Sequence, residues 1–239
     1  MTFQADLFAG KTAVVIGGTS GIGAAAAEAL AACGASVVAC GLNPDGPNRP
    51  RGAAIDCREI DVRNTAQIEQ LFAAIPRVEI LVNCAGTSHH REEWNPDSFD
   101  DIINLNFRSV FHTSRQARMK MPKGGSIINI ASMYSTFGSS DRPAYASSKG
   151  AIVQLTKSMA QEYAPDVRVN AVAPGWIDTP LSTGLFADPV ASAKIMSRIP
   201  AARWGGSNEV AQVIVFLASP AASYVTGAVL PVDGGYLTM

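Results

Sequence analysis

An excess of charge of either sign is missing from this sequence: 19 Lys and Arg stand against 20 Asp and Glu, a formal net charge of -1 over 239 residues. No run of like charges forms a tail or a basic face, so nucleic acid and a charged membrane surface are excluded as expected partners. Uncharged apolar runs of about eighteen residues, the length a membrane helix needs, are also absent. The 4 cysteines, Cys33, Cys40, Cys57 and Cys84, match neither C-x-x-C nor zinc-finger spacing and read as reduced, buried thiols. Histidine is scarce at 3 residues. His89 and His90 are adjacent, a poor geometry for converging on one ion, and His112 falls in a separate helical pattern, so no metal site is expected. The opening MTFQADLFAGKTAVVIGG lacks a basic segment followed by an apolar core and a cleavage site. A cytoplasmic protein is the expectation.

What is present is apolar material, 47% of the chain, enough to fill the core of a single domain over residues 1–239. TAVVIG, SVVAC, VEILVNCAG, GSIINIAS, VRVNAVAPG and AVLPVDGG are runs apolar on both faces, and helical patterns separate most of them. The alternation predicts an α/β, Rossmann-like doubly wound parallel sheet of about seven strands, a three-layer sandwich with helices on both faces. Helices are expected over 21–33, 65–74, 96–121, 144–164 and 208–218, and a loop at GLNPDGPNRPRGA, where Asn, Asp, Gly and Pro leave no helical period. Ligands of such a sheet bind beyond the carboxyl ends of its strands.

IGGTSGIGAAAAEAL follows the first strand and opens the first helix. Gly17 suits a tight turn, Gly21 lets backbone N–H groups approach a pyrophosphate, and Gly23 suits close packing of helix on sheet. The helix N-terminus adds partial positive charge.

The Gly-x-x-x-Gly-x-Gly spacing resembles that of the short-chain dehydrogenase/reductase family, with Ile16 where the family more often has Thr. The resemblance covers nearly the whole chain: NCAG at Asn83–Gly86, Asn106 in NLNFRSVF, Ser132 in INIASM, Tyr145 with Lys149 in AYASSKGA, PGWIDTP, and VTGAVLPVDGG. It implies an NAD(P)-dependent enzyme that interconverts a secondary alcohol and a ketone, with Asn106, Ser132, Tyr145 and Lys149 as its catalytic tetrad. Hydride can leave an alcohol carbon only as the hydroxyl proton is lost, which calls for a base beside the substrate oxygen. Tyr145 is that base by resemblance. An unperturbed phenol titrates at about 10, so Lys149, one helical turn away, is expected to favour the phenolate and to hold the nicotinamide ribose. Ser132 would orient the substrate oxygen, and Asn106 would hold a water leading from Lys149 to solvent.

For the cofactor, the resemblance implies contacts from Gly17, Thr19, Ser20, Gly21, Ile22, Gly23, Leu42, Asp61, Val62, Asn83, Ala85, Gly86, Tyr145, Lys149, Pro174, Gly175, Ile177 and Thr179. The second strand ends at Gly41, where NAD-preferring members often carry an acid, while Ser20 and Leu42 stand where NADP-preferring members tend to carry Arg. Arg49 and Arg51 could reach a 2'-phosphate or be simply solvated. With cations missing from the usual points, NAD is preferred over NADP.

SMYSTFGSSDRPAY, PGWIDTPLSTGLFADP and IPAARWG resemble the branch of the family that contains 2-dehydro-3-deoxy-gluconate 5-dehydrogenases and other sugar-acid or polyol dehydrogenases. Candidate substrate residues are His89, Arg91, Met133, Arg142, Trp176 and Leu181. Arg142 could equally bridge loops, and HHREE could be a solvated helix entrance. Residues 182–203 are expected to form a substrate lid, and the family implies a homotetramer. Two alternatives stand beside this reading: an acyl-chain 3-ketoacyl reductase, and a non-catalytic nicotinamide-sensing Rossmann protein, which would be expected to have lost tetrad residues. None is lost.

Overall fold

The computed structural model describes residues 2–239. In chain order it runs β1 (Thr12–Ile16), α1 (Gly21–Ala32), β2 (Ser36–Gly41), β3 (Ile55–Glu59), α2 (Thr65–Ala73), β4 (Ile80–Asn83), α3 (Pro96–Ile103), α4 (Ser109–Arg118), β5 (Gly125–Ile130), α5 (Pro143–Tyr163), β6 (Val167–Pro174), β7 (Ile177–Asp178), α6 (Thr183–Ala187), α7 (Pro189–Met196), β8 (Gly205–Gly206), α8 (Ser207–Ala218) and β9 (Val229–Val232). Seven strands form one parallel sheet in the order β3-β2-β1-β4-β5-β6-β9. The expected doubly wound architecture is present, with no helix between β2 and β3, where the Pro-rich stretch offers no helical period.

Alternation along β1 distributes the core. Ala13 and Val15 enter the layer formed with α1 and α8, beside Leu30 and Ile214, while Val14 and Ile16 enter the opposite layer with Phe72 and Met159. A strand buried on both faces must be apolar at every position, which is why TAVVI shows no polar alternation. Ala25, Ala26 and Ala27 of α1 are buried in the same cluster as Val210, Ala211 and Ile214 of α8, and small side chains there let the two helices approach closely. Helix starts follow local chemistry: the Asn64 side chain accepts from Ala66 N at 3.0 Å, and Asn95, ahead of Pro96, accepts from Asp97 N at 2.9 Å.

The long helix expected over 96–121 is interrupted. Residues Asn104–Arg108 form a π-turn between α3 and α4, and α4 ends at Arg118. A π-turn admits one extra residue per turn and changes which side chain faces inward, a feature that hydrophobic period cannot reveal. The turn buries Asn106 completely, at 0% exposure. Among the described residues, no helix is long and apolar enough to cross a membrane.

Candidate active site

In the sheet, β1 is flanked by β2 on one side and β4 on the other, the point where strand order reverses. Beyond the strand ends lies a cleft of about 780 Å³. Gly17 adopts φ 76°, and a Cβ there would collide with the backbone of Ala85; Gly21 adopts φ 52°. Ser20, the N-cap of α1, makes no side-chain cap. The first-turn N–H groups of α1 are therefore unclaimed by a cap, and Ser20, Gly21 and Ile22 line the cleft. That cradle fits the phosphates of a dinucleotide. Gly23 serves close packing, since a Cβ there would strike the carbonyl of Gly17 just past β1, but it stands outside the cleft lining and so apart from the expected cofactor contacts.

At one end the cleft is walled by Gly41, Leu42, Asn43, Asp61 and Val62. A Cβ on Gly41 would run into Thr19 Oγ1, so Thr19 fills the space that a strand-end side chain would take. Asp61 is held by Arg63, whose Nη2 donates to it at 2.8 Å, and this hydrogen bond lowers the carboxyl pKa. Arg63 also reaches Asp101 at 3.1 Å. Arg49 turns instead to Asp45, at 3.7 Å, and neither it nor Arg51 is among the cleft-lining residues.

At the other end Ser132, Tyr145 and Lys149 come together from β5 and α5. Lys149 is buried, its Nζ donates to Ile130 O at 2.7 Å, and it lies 5.7 Å from the centroid of the Tyr145 ring. Loss of solvent lowers its pKa to about 8. Tyr145 is shifted up, because burial outweighs the hydrogen bond with Ser132 that favours phenolate. Lys149 still carries its proton at neutral pH, and Ile130 O takes one of the three hydrogens of its ammonium.

Asn106 has a protein partner at each polar atom. Oδ1 accepts from Thr87 N at 2.9 Å, while Nδ2 donates to Thr87 O at 2.9 Å and to Ser148 Oγ at 3.2 Å. Its side chain thus grips the loop after β4. A Cβ on Gly86 would lie 3.4 Å from both Asn106 Oδ1 and Lys149 Nζ, so Gly86 borders both side chains.

Of the remaining cofactor candidates, Ala85, Gly86, Pro174, Gly175, Ile177 and Thr179 line the cleft. Asn83 does not. It points into the layer under α4, where Nδ2 donates to Ser114 Oγ at 3.0 Å and Asn129 Oδ1 at 2.9 Å, and Oδ1 accepts from Thr113 at 2.7 Å. It is a satisfied core amide joining two strands to a helix. Met133, Arg142, Trp176 and Leu181 line the cleft; His89 and Arg91 do not. Arg142 already pairs with Asp141 at 3.2 Å and lies 5.4 Å from the Tyr134 ring centroid. His89 faces Ser98 at 3.2 Å.

Sequence reasoning missed two residues. Tyr134 begins an aromatic chain, 6.0 Å from Tyr145 and 6.3 Å from Trp176, which continues through Trp204 to Phe186. The other is Glu93, read as part of a solvated HHREE entrance and found fully buried. Its only sequence signal is an acid five residues after Ser88 and four after His89, which nothing marks as inward-facing.

A family model described as enoyl-(acyl carrier protein) reductase matches residues 17–237. The chain is 38% identical over 254 residues, 99% of each chain, to 2-dehydro-3-deoxy-D-gluconate 5-dehydrogenase of Escherichia coli K12. It is also 38% identical over 245 residues, 95% of this chain and 98% of the other, to the 3-oxoacyl-(acyl-carrier-protein) reductase of the same organism. A solved structure from Agrobacterium tumefaciens, described as a 2-deoxy-D-gluconate 3-dehydrogenase with bound NADP, superposes with a TM-score of 0.86 at 32% identity, covering 99% of this chain and 100% of that one.

Proposed function

We propose that this chain, which belongs to the short-chain dehydrogenase/reductase family, interconverts a secondary alcohol and a ketone on a small sugar acid or polyol, using a nicotinamide dinucleotide. The observation that carries this is the meeting of Ser132, Tyr145 and Lys149 in one cleft with an uncapped helix N-terminus. A nicotinamide ring, when bound, accepts or gives the hydride. The protein's part is the proton. Tyr145, its pKa raised by burial, keeps its proton near neutrality and is poised to donate it to a ketone oxygen. In the reverse direction it must first lose that proton, aided by the Ser132 hydrogen bond. Ser132 orients the substrate oxygen, Lys149 holds the ribose, and Asn106 fixes the loop beside them.

NAD is favoured over NADP because the cations lining the cleft are Arg142 and Lys149, both at the reaction end, with none beside Leu42 and Asn43. Residues 182–203 act as a lid: Leu181, Ser182 and Leu185 already reach the cleft. A cytoplasmic homotetramer built on the long helices and the last strand follows from the family. Assay of the purified protein against sugar acids, polyols and keto compounds, with NAD(H) and NADP(H) in parallel, tests the reading. Oxidation of a polyhydroxylated acid or polyol with NAD supports it, and absence of any dinucleotide-dependent turnover refutes it. A second reading, 3-oxoacyl reduction, is favoured by the equal identity to the Escherichia coli reductase; an acetoacetyl thioester with NADPH in the same panel separates the two.

A further inference from the structure

The helix that carries Tyr145 begins badly. Arg142 is the N-cap of α5 and its side chain caps nothing, although a 21-residue helix presents unpaired N–H groups and a partial positive charge at that end. The missing acceptor comes from another part of the chain. Residues His90–Trp94 form a 3-10 turn after β4, and the Glu93 carboxylate within it is 0% exposed. Its Oε2 accepts from the backbone N–H of Tyr145 at 2.8 Å, while its Oε1 accepts from Ser88 Oγ at 2.7 Å and His89 N at 3.0 Å. Both oxygens of a fully buried acid are thus committed, one to the reaction helix and one to the loop that leaves β4.

The other side of the same residue is held as well. Ser148 Oγ donates to the Tyr145 carbonyl at 2.7 Å and accepts from Asn106 Nδ2 at 3.2 Å. The backbone of Tyr145 is therefore fixed at its N–H by Glu93 and at its C=O through Ser148 by Asn106. The turn is seated on the neighbouring loop besides: Trp94 Nε1 donates to Ser140 O at 2.9 Å, and His90 Nδ1 lies 3.0 Å from Arg142 Nη2. His90 adopts a positive φ of 52° in this turn, a left-handed conformation uncommon outside glycine but one that His takes more readily than most side chains.

We propose that Glu93 is a positioning residue for Tyr145: its carboxylate joins the Ser88–His89 loop to the start of α5 and so fixes where the phenol hydroxyl meets the substrate oxygen. The inference rests on the alcohol/ketone reading of the same cleft. A displacement of about 1 Å at a reacting group costs on the order of a hundredfold in rate without weakening binding. Glu93 does not itself line the cleft, whereas Ser88 and Tyr145, which its carboxylate holds, both do; its loss should act through the placement of those two residues and fall on turnover.

The test compares wild type, Tyr145→Phe, Glu93→Ala and Glu93→Gln, each measured for kcat and KM on the alcohol identified in the substrate panel, for NADH affinity by fluorescence, and for thermal midpoint. Expected are a loss in kcat of about ten- to a hundredfold for Glu93→Ala, KM and NADH affinity within about twofold of wild type, and partial rescue by Gln, which retains one acceptor for the Tyr145 N–H. If Glu93→Ala fails to fold, Glu93→Gln alone decides, with kcat about three- to tenfold down expected. A lowered thermal midpoint with wild-type kcat would make Glu93 a helix cap only and overturn the proposal, as would parallel loss of kcat and NADH binding. Inactive wild type against the whole panel would instead strike the functional reading itself.

Discussion

The two ends of the substrate side of the cleft are built by opposite means. At the reaction end, polar groups are buried and hydrogen-bonded in sequence: Glu93 to Tyr145, Tyr145 to Ser148, Ser148 to Asn106, Asn106 to Thr87. Across from it, α6 buries no residue and α7 buries only Ser192. Phe186 and Leu181 are exposed there, and Val190 is 80% exposed. Buried polar networks have one low-energy arrangement and so hold a geometry, whereas short helices with little buried area open at small cost. Proton transfer needs the first kind of construction, and admitting and enclosing a substrate needs the second.

The sharpest way to break this contrast is at the phenol. Tyr145→Phe is expected to lower kcat about a thousandfold while leaving NADH binding intact; retention of turnover would remove the reaction end as such. Next in size, Lys149→Met should cost about a hundredfold in kcat/KM, with a stability signature of its own. Folding lowers the ammonium pKa from 10.5 to about 8, so below pH 8 both states carry the proton and the folded state bears the full cost of burying it. That cost fades as pH rises from 8 to 10.5, since the native state sheds its proton first. The thermal midpoint of the Met variant relative to wild type should therefore be highest near pH 7 and decline across that interval; a difference independent of pH would contradict the burial argument.

Asn83→Ala is expected to destabilise the fold by about 1–3 kcal/mol, since it leaves Ser114, Thr113 and Asn129 without their partner, with dinucleotide affinity unchanged. Weakened NAD binding at full stability would return Asn83 to the cofactor site. The smallest effect belongs to the proposed lid, where Phe186→Ala should raise substrate KM about two- to fivefold and leave kcat and thermal midpoint nearly as they were. A larger loss in kcat than in KM would show that the lid shares in fixing the reacting groups.

Much of the dinucleotide side was legible in the order of residues. Gly17 and Gly21 need positive φ, and Gly41 with Leu42 shows no charge at the strand end. Such features are local, and a glycine at a fixed distance after an apolar strand carries its conformation with it. Asn83 misled because it sits within a motif: it is the last residue of β4, where its side chain meets Thr113 and Ser114 of α4, whereas Ala85 lies past the strand end in the loop that lines the cleft. Glu93 misled for the opposite reason: HHREEW has the composition of an exposed turn, and its burial depends on α5 arriving beside it from fifty residues away.

By itself the sequence determined the alternation of strand and helix, the glycine loop, and the residue types available for chemistry, because periodicity and backbone permissiveness are properties of neighbours in the chain. Only the tertiary structure decided which polar groups are stripped of water and what they meet there. Burial raises the proton affinity of Tyr145, and a carboxylate from a distant turn holds the backbone of that tyrosine in place. Both are effects of burial, and burial is fixed by the packing of segments remote in the chain.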